Sequence, residues 1–338
     1  MFIDKNIITN EIKGNLISIE LFINALNNSR DSRAWILEGP KGIGKASIIK
    51  LISCIILDIY KKPTLLNIKN ILNPDFFILQ KVEEKKNIPV DQIRSLKNFF
   101  SKTSFGGLAR IAIIDAVNDL NNYGHNAILK VIEEPPKNSF IFIINHQTTL
   151  LPATIKSRCK TFKLRGLSEI EVLNFLSKKI NTPDKDLLKA YSLMSDGSIG
   201  VAIDYFNNNA LDLYKNMCIN LKNSTSFNDK AINSFIKNIN NDKNKKNLIL
   251  IFFKLLQYFI DKVIKNKASI SHDYCNSTEE LAISNFSKNI SLNNLFNLKD
   301  NIINYYNDFY LLNTDLHSTL YSLLIEIQNN ILVSKNAT

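Results

Sequence analysis

Cysteine is scarce in this 338-residue chain, and its placement excludes several kinds of chemistry. Cys54, Cys159, Cys218 and Cys275 stand far apart with no Cys-x-x-Cys pair. That spacing argues against a structural zinc site and against a disulfide framework; the four read as reduced thiols, mostly buried as small hydrophobes. No window reaches the roughly 18 uncharged apolar residues that a membrane span needs, so no membrane partner is expected. The opening stretch, MFIDKNIITNEIKG, has neither an apolar h-region nor a cleavage site, which predicts a cytoplasmic protein.

Glycine and proline are also few, 10 and 8, so their positions divide the chain. The last proline is Pro183 and the last glycine Gly200. Beyond them apolar residues recur at helical spacing, as in Leu248–Val263 and Leu311–Leu332, so residues 207–338 are expected to be an all-α domain. The polar stretches at 222–229 and 240–247 would be its turns. Residues 1–165 read differently. Short apolar runs at 34–38, 76–80, 110–115 and 140–145 suit buried strands, and a fifth segment, 159–164, alternates polar and apolar residues. They alternate with helical patterns at about 43–60, 90–101, 121–134 and 153–157, which predicts an α/β domain with a parallel sheet. Between the two, residues 166–206 read as a small helical unit that opens on a capping box, Ser168 followed by Glu171.

What is abundant is positive charge. The net charge is +11, compatible with an anionic partner such as DNA. Lysine is spread over the whole length, however, and the crowding of Lys, Asn and Ile is the pattern of an AT-rich coding sequence. The charge alone therefore assigns no partner.

The sharpest motif is Gly39-Pro-Lys-Gly-Ile-Gly-Lys-Ala46-Ser47, placed between an apolar strand and a helical pattern as a phosphate loop must be. Gly39, Gly42 and Gly44 let successive backbone N–H groups turn inward around phosphate, the helix start adds a positive end, and Lys45 supplies a point charge. The next position should carry the Ser or Thr hydroxyl that ligates Mg²⁺, but it is Ala46. Ser47 does not simply substitute, because one residue along a helix rotates a side chain by roughly 100°. The strand Arg110–Asp115 ends on an acid suited to a metal-bound water, whereas the following position, where a general base belongs, is Ala116. Asp119 reads as a cap for the next helix rather than as the missing base. No metal site is expected, and a lone His146 does not make one.

Taken together, these segments resemble the subunits of the bacterial DNA polymerase III clamp loader. Asp115–Pro136 is similar to their Walker B strand and helix, closing on Leu-Lys-x-x-Glu-Glu-Pro-Pro. Residues 150–168 match their Ser-Arg-Cys region, and 73–77 with 88–100 match the segment between. The loop GPKGIGKAS looks like the delta-prime type, in which Ala commonly replaces the Walker hydroxyl. The resemblance covers 33–168 well, 169–206 less closely and the rest only by character. It implies an AAA+, RecA-like P-loop domain (1–165), a small helical lid (166–206) and an all-α collar (207–338).

Function follows from the same resemblance as an expectation. Arg158 would be an arginine finger acting in trans on a neighbour's ATP, a task suited to a planar, permanently charged fork. Gly39, Gly42, Gly44, Lys45, Ser47, Asp115 and Asn145 would outline a degenerate nucleotide site, with Asn145 at the sensor position. The cis arginine expected after Gly197-Ser198 is replaced by Gly200. The implied protein is a non-hydrolysing stator needing no cofactor, with at most a passive hold on nucleotide. Zinc is not carried over, because the family's cysteine cluster is missing. Its partners would be the gamma/tau and delta subunits, the sliding clamp and primed DNA. The alternative is an active gamma/tau-type ATPase, against which Ala46, Ala116 and Gly200 all weigh. A small-molecule P-loop kinase would need acceptor-site and lid residues that are not found.

Overall fold

The three central strands of the N-terminal half are buried on both faces, as parallel strands covered by helices must be, while the two edge strands are only partly covered. In the computed structural model, which describes residues 3–12, 14–28, 33–81, 87–146, 151–222, 245–312 and 314–336, five strands form one parallel sheet. They are β1 (Ala34–Glu38), β2 (Phe76–Gln80), β3 (Arg110–Asp115), β4 (Ser139–Asn145) and β5 (Lys160–Lys163). Their order is β2-β3-β4-β1-β5. In register, Ala34 lies beside Ile141, Glu38 beside Asn145, and Gln80 beside Asp115. Period-two alternation then sorts the side chains. Trp35, Leu37, Ile111, Ile113, Phe142 and Ile144 enter one apolar layer, and Ala34, Ile36, Ala112, Ile114, Ile141 and Ile143 enter the other.

The first layer is covered by α1 (Lys5–Glu11), α2 (Leu16–Asn28) and α3 (Lys45–Ile56); the second by α4 (Val90–Phe100), α5 (Asn122–Glu133) and α6 (Ala153–Lys156). The expected parallel α/β architecture is therefore present. Helices α1 and α2 add to the expected elements. In α2, Ile19, Phe22, Ile23 and Leu26 are buried while Leu16, Ile17 and Leu21 stay exposed, which blurs the amphipathic stripe.

The chain folds as two compact units, 1–175 with 197–200 and 176–196 with 201–338. The expected capping box is present at the start of α7 (Glu169–Lys179): Ser168 N–H donates to the Glu171 carboxylate at 2.7 Å, and Glu171 N–H donates to Ser168 Oγ at 3.3 Å. Next come α8 (Lys185–Met194), α9 (Ile199–Asn207), α10 (Ala210–Lys222), α11 (Lys245–Lys267), α12 (Ser277–Lys288), α13 (Leu292–Leu312) and α14 (Leu316–Asn336). Every regular element described after residue 200 is a helix. The apolar run at 311–332 is not one helix: it breaks between α13 and α14, where the Asp315 carboxylate accepts from Ser318 N–H at 2.9 Å and caps the new start. The turns expected at 222–229 and 240–247 lie almost wholly outside the described residues. The second unit contains a buried polar node in which Tyr214 Oη donates to the fully buried Glu279 carboxylate at 2.7 Å.

Candidate functional site: a phosphate loop and a neighbouring arginine

The phosphate loop links β1 to α3 at the carboxyl edge of the sheet, where open α/β folds bind ligands. Gly44, the N-cap of α3, sits at φ 96°, a left-handed conformation that a side chain would strain. Gly39 N–H donates to Asn145 O at 3.1 Å, and Asn145 Nδ2 donates to Glu38 Oε1 at 3.3 Å. The ends of β1 and β4 are thus tied together at the loop, and the structure brings Asn145 beside it.

Lys45 is buried and turned back on its own loop, where Nζ donates to Gly39 O at 2.6 Å and Pro40 O at 2.5 Å. Burial lowers its pKa to about 8, opposed by Asp115 and helped by Lys41. Asp115 ends β3 with its carboxyl raised, first by burial and further by Asp119, against the pull of Lys50 and Lys45. Burial and the nearby Lys45 and Lys41 hold His146 down to about 4, so it is neutral at pH 7. Ala46 packs its methyl against the first apolar layer, and Ala116 is buried. Neither side chain offers an oxygen to a metal or accepts a proton from water. Ser47 is half-buried in the first turn of α3. Asp119 does not cap α5; Asn121 does, accepting from Gly124 N–H at 2.8 Å, while Asp119 ends a short 3-10 turn. Sequence position favoured an acid for the cap, but the extra turn shifts the helix start by two residues.

Glycine at 200 does more than lack a side chain. Its N–H donates to Gly42 O at 2.9 Å, Ser198 Oγ donates to Lys41 O at 2.8 Å, and Leu167 N–H donates to Gly197 O at 3.0 Å. Segment 197–200 is therefore fastened to the phosphate loop on one side and to the chain after β5 on the other. Nothing in the residue types alone pointed to this contact.

Arg158 lies between α6 and β5. The neighbouring Cys159 packs into the second apolar layer, and burial pushes its thiol up to about 12. Arg158 is half-exposed and pairs through Nε with Glu133 Oε1 at 2.8 Å, while Nη1 donates to Thr154 O at 3.0 Å. Glu133 ends α5. Beyond it, Arg33 Nη1 donates to the carbonyls of Pro135 and Pro136 at 3.1 and 2.9 Å. The Glu-Glu-Pro-Pro turn is thereby pinned to the entry of β1, a partnership that sequence spacing did not reveal.

Comparison with known proteins matches this framework. A family described as DNA polymerase III, delta subunit, matches residues 14–168. The DNA polymerase III subunit gamma of Buchnera aphidicola subsp. Schizaphis graminum is 31% identical over 64% of this chain and 61% of its own length. Two further relatives are matched over 58% and 54% of their lengths. The subunit delta' of Buchnera aphidicola subsp. Baizongia pistaciae is 28% identical over 81% of this chain and 84% of its own. A DNA polymerase III gamma subunit-related protein of Thermotoga maritima superimposes with a TM-score of 0.48 at 16% identity, covering 93% of this chain and 99% of that one. A parallel P-loop domain followed by helices, with these sequence matches, makes the chain similar to the delta' and gamma subunits of the bacterial DNA polymerase III clamp loader.

Proposed function

We propose that this chain acts as a delta-prime-type stator of the clamp loader, hydrolysing no ATP itself and lending Arg158 to the ATP site of an adjacent subunit. The observation that carries the reading is an asymmetry. Ala46, Ala116 and Gly200 remove the magnesium hydroxyl, the base and the cis arginine, while Arg158 is kept at a half-exposed junction. In the neighbour's site, water attacks the γ-phosphorus as the bond to the β,γ-bridging oxygen breaks. A guanidinium offsets the negative charge that grows there.

Residues 1–165 would serve as the AAA+ body, 166–206 as the lid and 207–338 as the share of a collar. Gly39, Gly42, Gly44, Lys45, Ser47, Asp115 and Asn145 would persist as a degenerate site with no required cofactor. Partners would be gamma/tau and delta subunits, the sliding clamp and, within the complex, primed DNA, in the cytoplasm. No described helix is long and apolar enough to cross a membrane. The active gamma/tau reading draws on the same relatives, but it leaves the three substitutions without a role.

Turnover separates the two. The purified chain is expected to hydrolyse ATP no faster than a Lys45→Ala control, with or without primed DNA. Robust DNA-stimulated turnover by the chain alone would sink the stator reading.

A further inference from the structure

We infer that Glu133 is a positioning residue for Arg158, holding the guanidinium in a fixed pose before the neighbouring site closes on it; the inference rests on the trans role proposed above. The pair is 2.8 Å apart, and the two side chains retain 41% and 39% of their exposure. An ion pair this open contributes little to stability, which directs attention to what it orients. Arg158 Nε meets the carboxylate, and Nη1 donates to Thr154 O and, at 3.3 Å, to Ser157 Oγ. Among the described residues, Nη2 makes no hydrogen bond. Two nitrogens are therefore anchored and the third is left to serve an incoming oxygen.

The location of Glu133 supports the same reading. It is the last residue of α5, where the helix dipole disfavours a carboxylate, so helix stability does not account for it. The turn that follows is held firmly: Arg33 takes the carbonyls of Pro135 and Pro136, and Ser139 Oγ donates to Pro136 O at 2.7 Å. A carboxylate mounted on a pinned turn is a stable reference point for a long, otherwise mobile side chain. An arginine held in its working geometry loses less freedom when it meets phosphate, which raises the rate without altering ATP affinity.

The test is clamp loading by the reconstituted complex carrying Glu133→Ala, Glu133→Gln, Arg158→Ala or the Glu133→Ala/Arg158→Ala pair. For an exposed ion pair the expected loss with Glu133→Ala is about two- to five-fold in maximal rate. KM for ATP and assembly should be unchanged. Glu133→Gln, which keeps an acceptor oxygen, should recover part of the rate. The double variant should match Arg158→Ala alone. A parental rate with Glu133→Ala, or a loss that adds in full to that of Arg158→Ala, overturns the positioning role while leaving the finger intact. A parental rate with Arg158→Ala overturns the trans reading and the positioning role with it.

Discussion

Gly200 and Gly42 meet backbone to backbone: the Gly200 N–H donates to Gly42 O at 2.9 Å, and a Cβ built on Gly200 would lie 3.0 Å from Gly42 Cα. No side chain fits there unless the phosphate loop moves. Gly200→Arg, which places there the cis arginine that the stator reading takes to be missing, should therefore destabilise the fold by about 1–3 kcal/mol through overpacking. It should confer no ATP hydrolysis. Thermal unfolding together with an ATPase assay checks both halves.

Arg158→Ala should leave folding and assembly intact, since substitutions at exposed positions rarely cost more than about 0.5 kcal/mol. It should lower DNA-stimulated ATPase and clamp loading by the complex. Removal of a trans arginine costs roughly three to five orders of magnitude where a single site is measured; in a loader with several sites the visible loss is smaller. Arg158→Lys should rescue poorly, because an ammonium lacks the planar fork. Assembly followed by clamp loading at the parental rate would be the contrary result.

Asp75 supplies a prediction with a definite pH direction. Its carboxylate is nearly buried; it accepts from Gly106 N–H at 2.8 Å, Phe105 N–H at 2.9 Å and Ser104 Oγ at 2.9 Å, and lies 3.5 Å from Arg110 Nε. Burial alone would raise its pKa, but these hydrogen bonds and Arg110 together outweigh burial and lower it. A lowered folded pKa contributes stability that is complete above the unfolded value near ~3.9 and is lost as pH falls through the folded value. Asp75→Asn should therefore cost about 3 kcal/mol at pH 7, since it leaves Arg110 without its counter-charge. The gap between parent and variant should shrink below about pH 3.9. Urea titrations at neutral and acid pH measure it.

In the second unit, Tyr214→Phe removes the hydroxyl that donates to the buried Glu279 at 2.7 Å. Loss of a hydrogen bond to a charged acceptor should cost about 1.5–3 kcal/mol. The change should appear in thermal unfolding; an unchanged midpoint would mean that Glu279 is satisfied without Tyr214.

Much of this architecture was legible from residue order. The strand cores at 34–38, 76–80 and 110–115 were readable because they carry unbroken apolar runs between turn residues. The breaker-free stretch after Gly200 read as helical for the complementary reason. The break before Leu316 was not legible, because Asp315 starts the next helix through a local cap without Gly or Pro. Helix α2 was obscured by apolar residues on both of its faces.

Residue order alone showed the phosphate-loop motif, the alanines at 46 and 116, and Arg158, because each is a residue type at a fixed spacing within its motif. Only the tertiary structure decided that Lys45 folds back on Gly39 and Pro40, that Gly200 closes on Gly42, and that Glu133 grips Arg158. In the last two the partners come from separate parts of the chain, 158 positions apart for the glycines and 25 for the ion pair. Lys45 bends only as its burial and its neighbours dictate. Local spacing carries no information about such distances; the packing of helices against a shared sheet creates them.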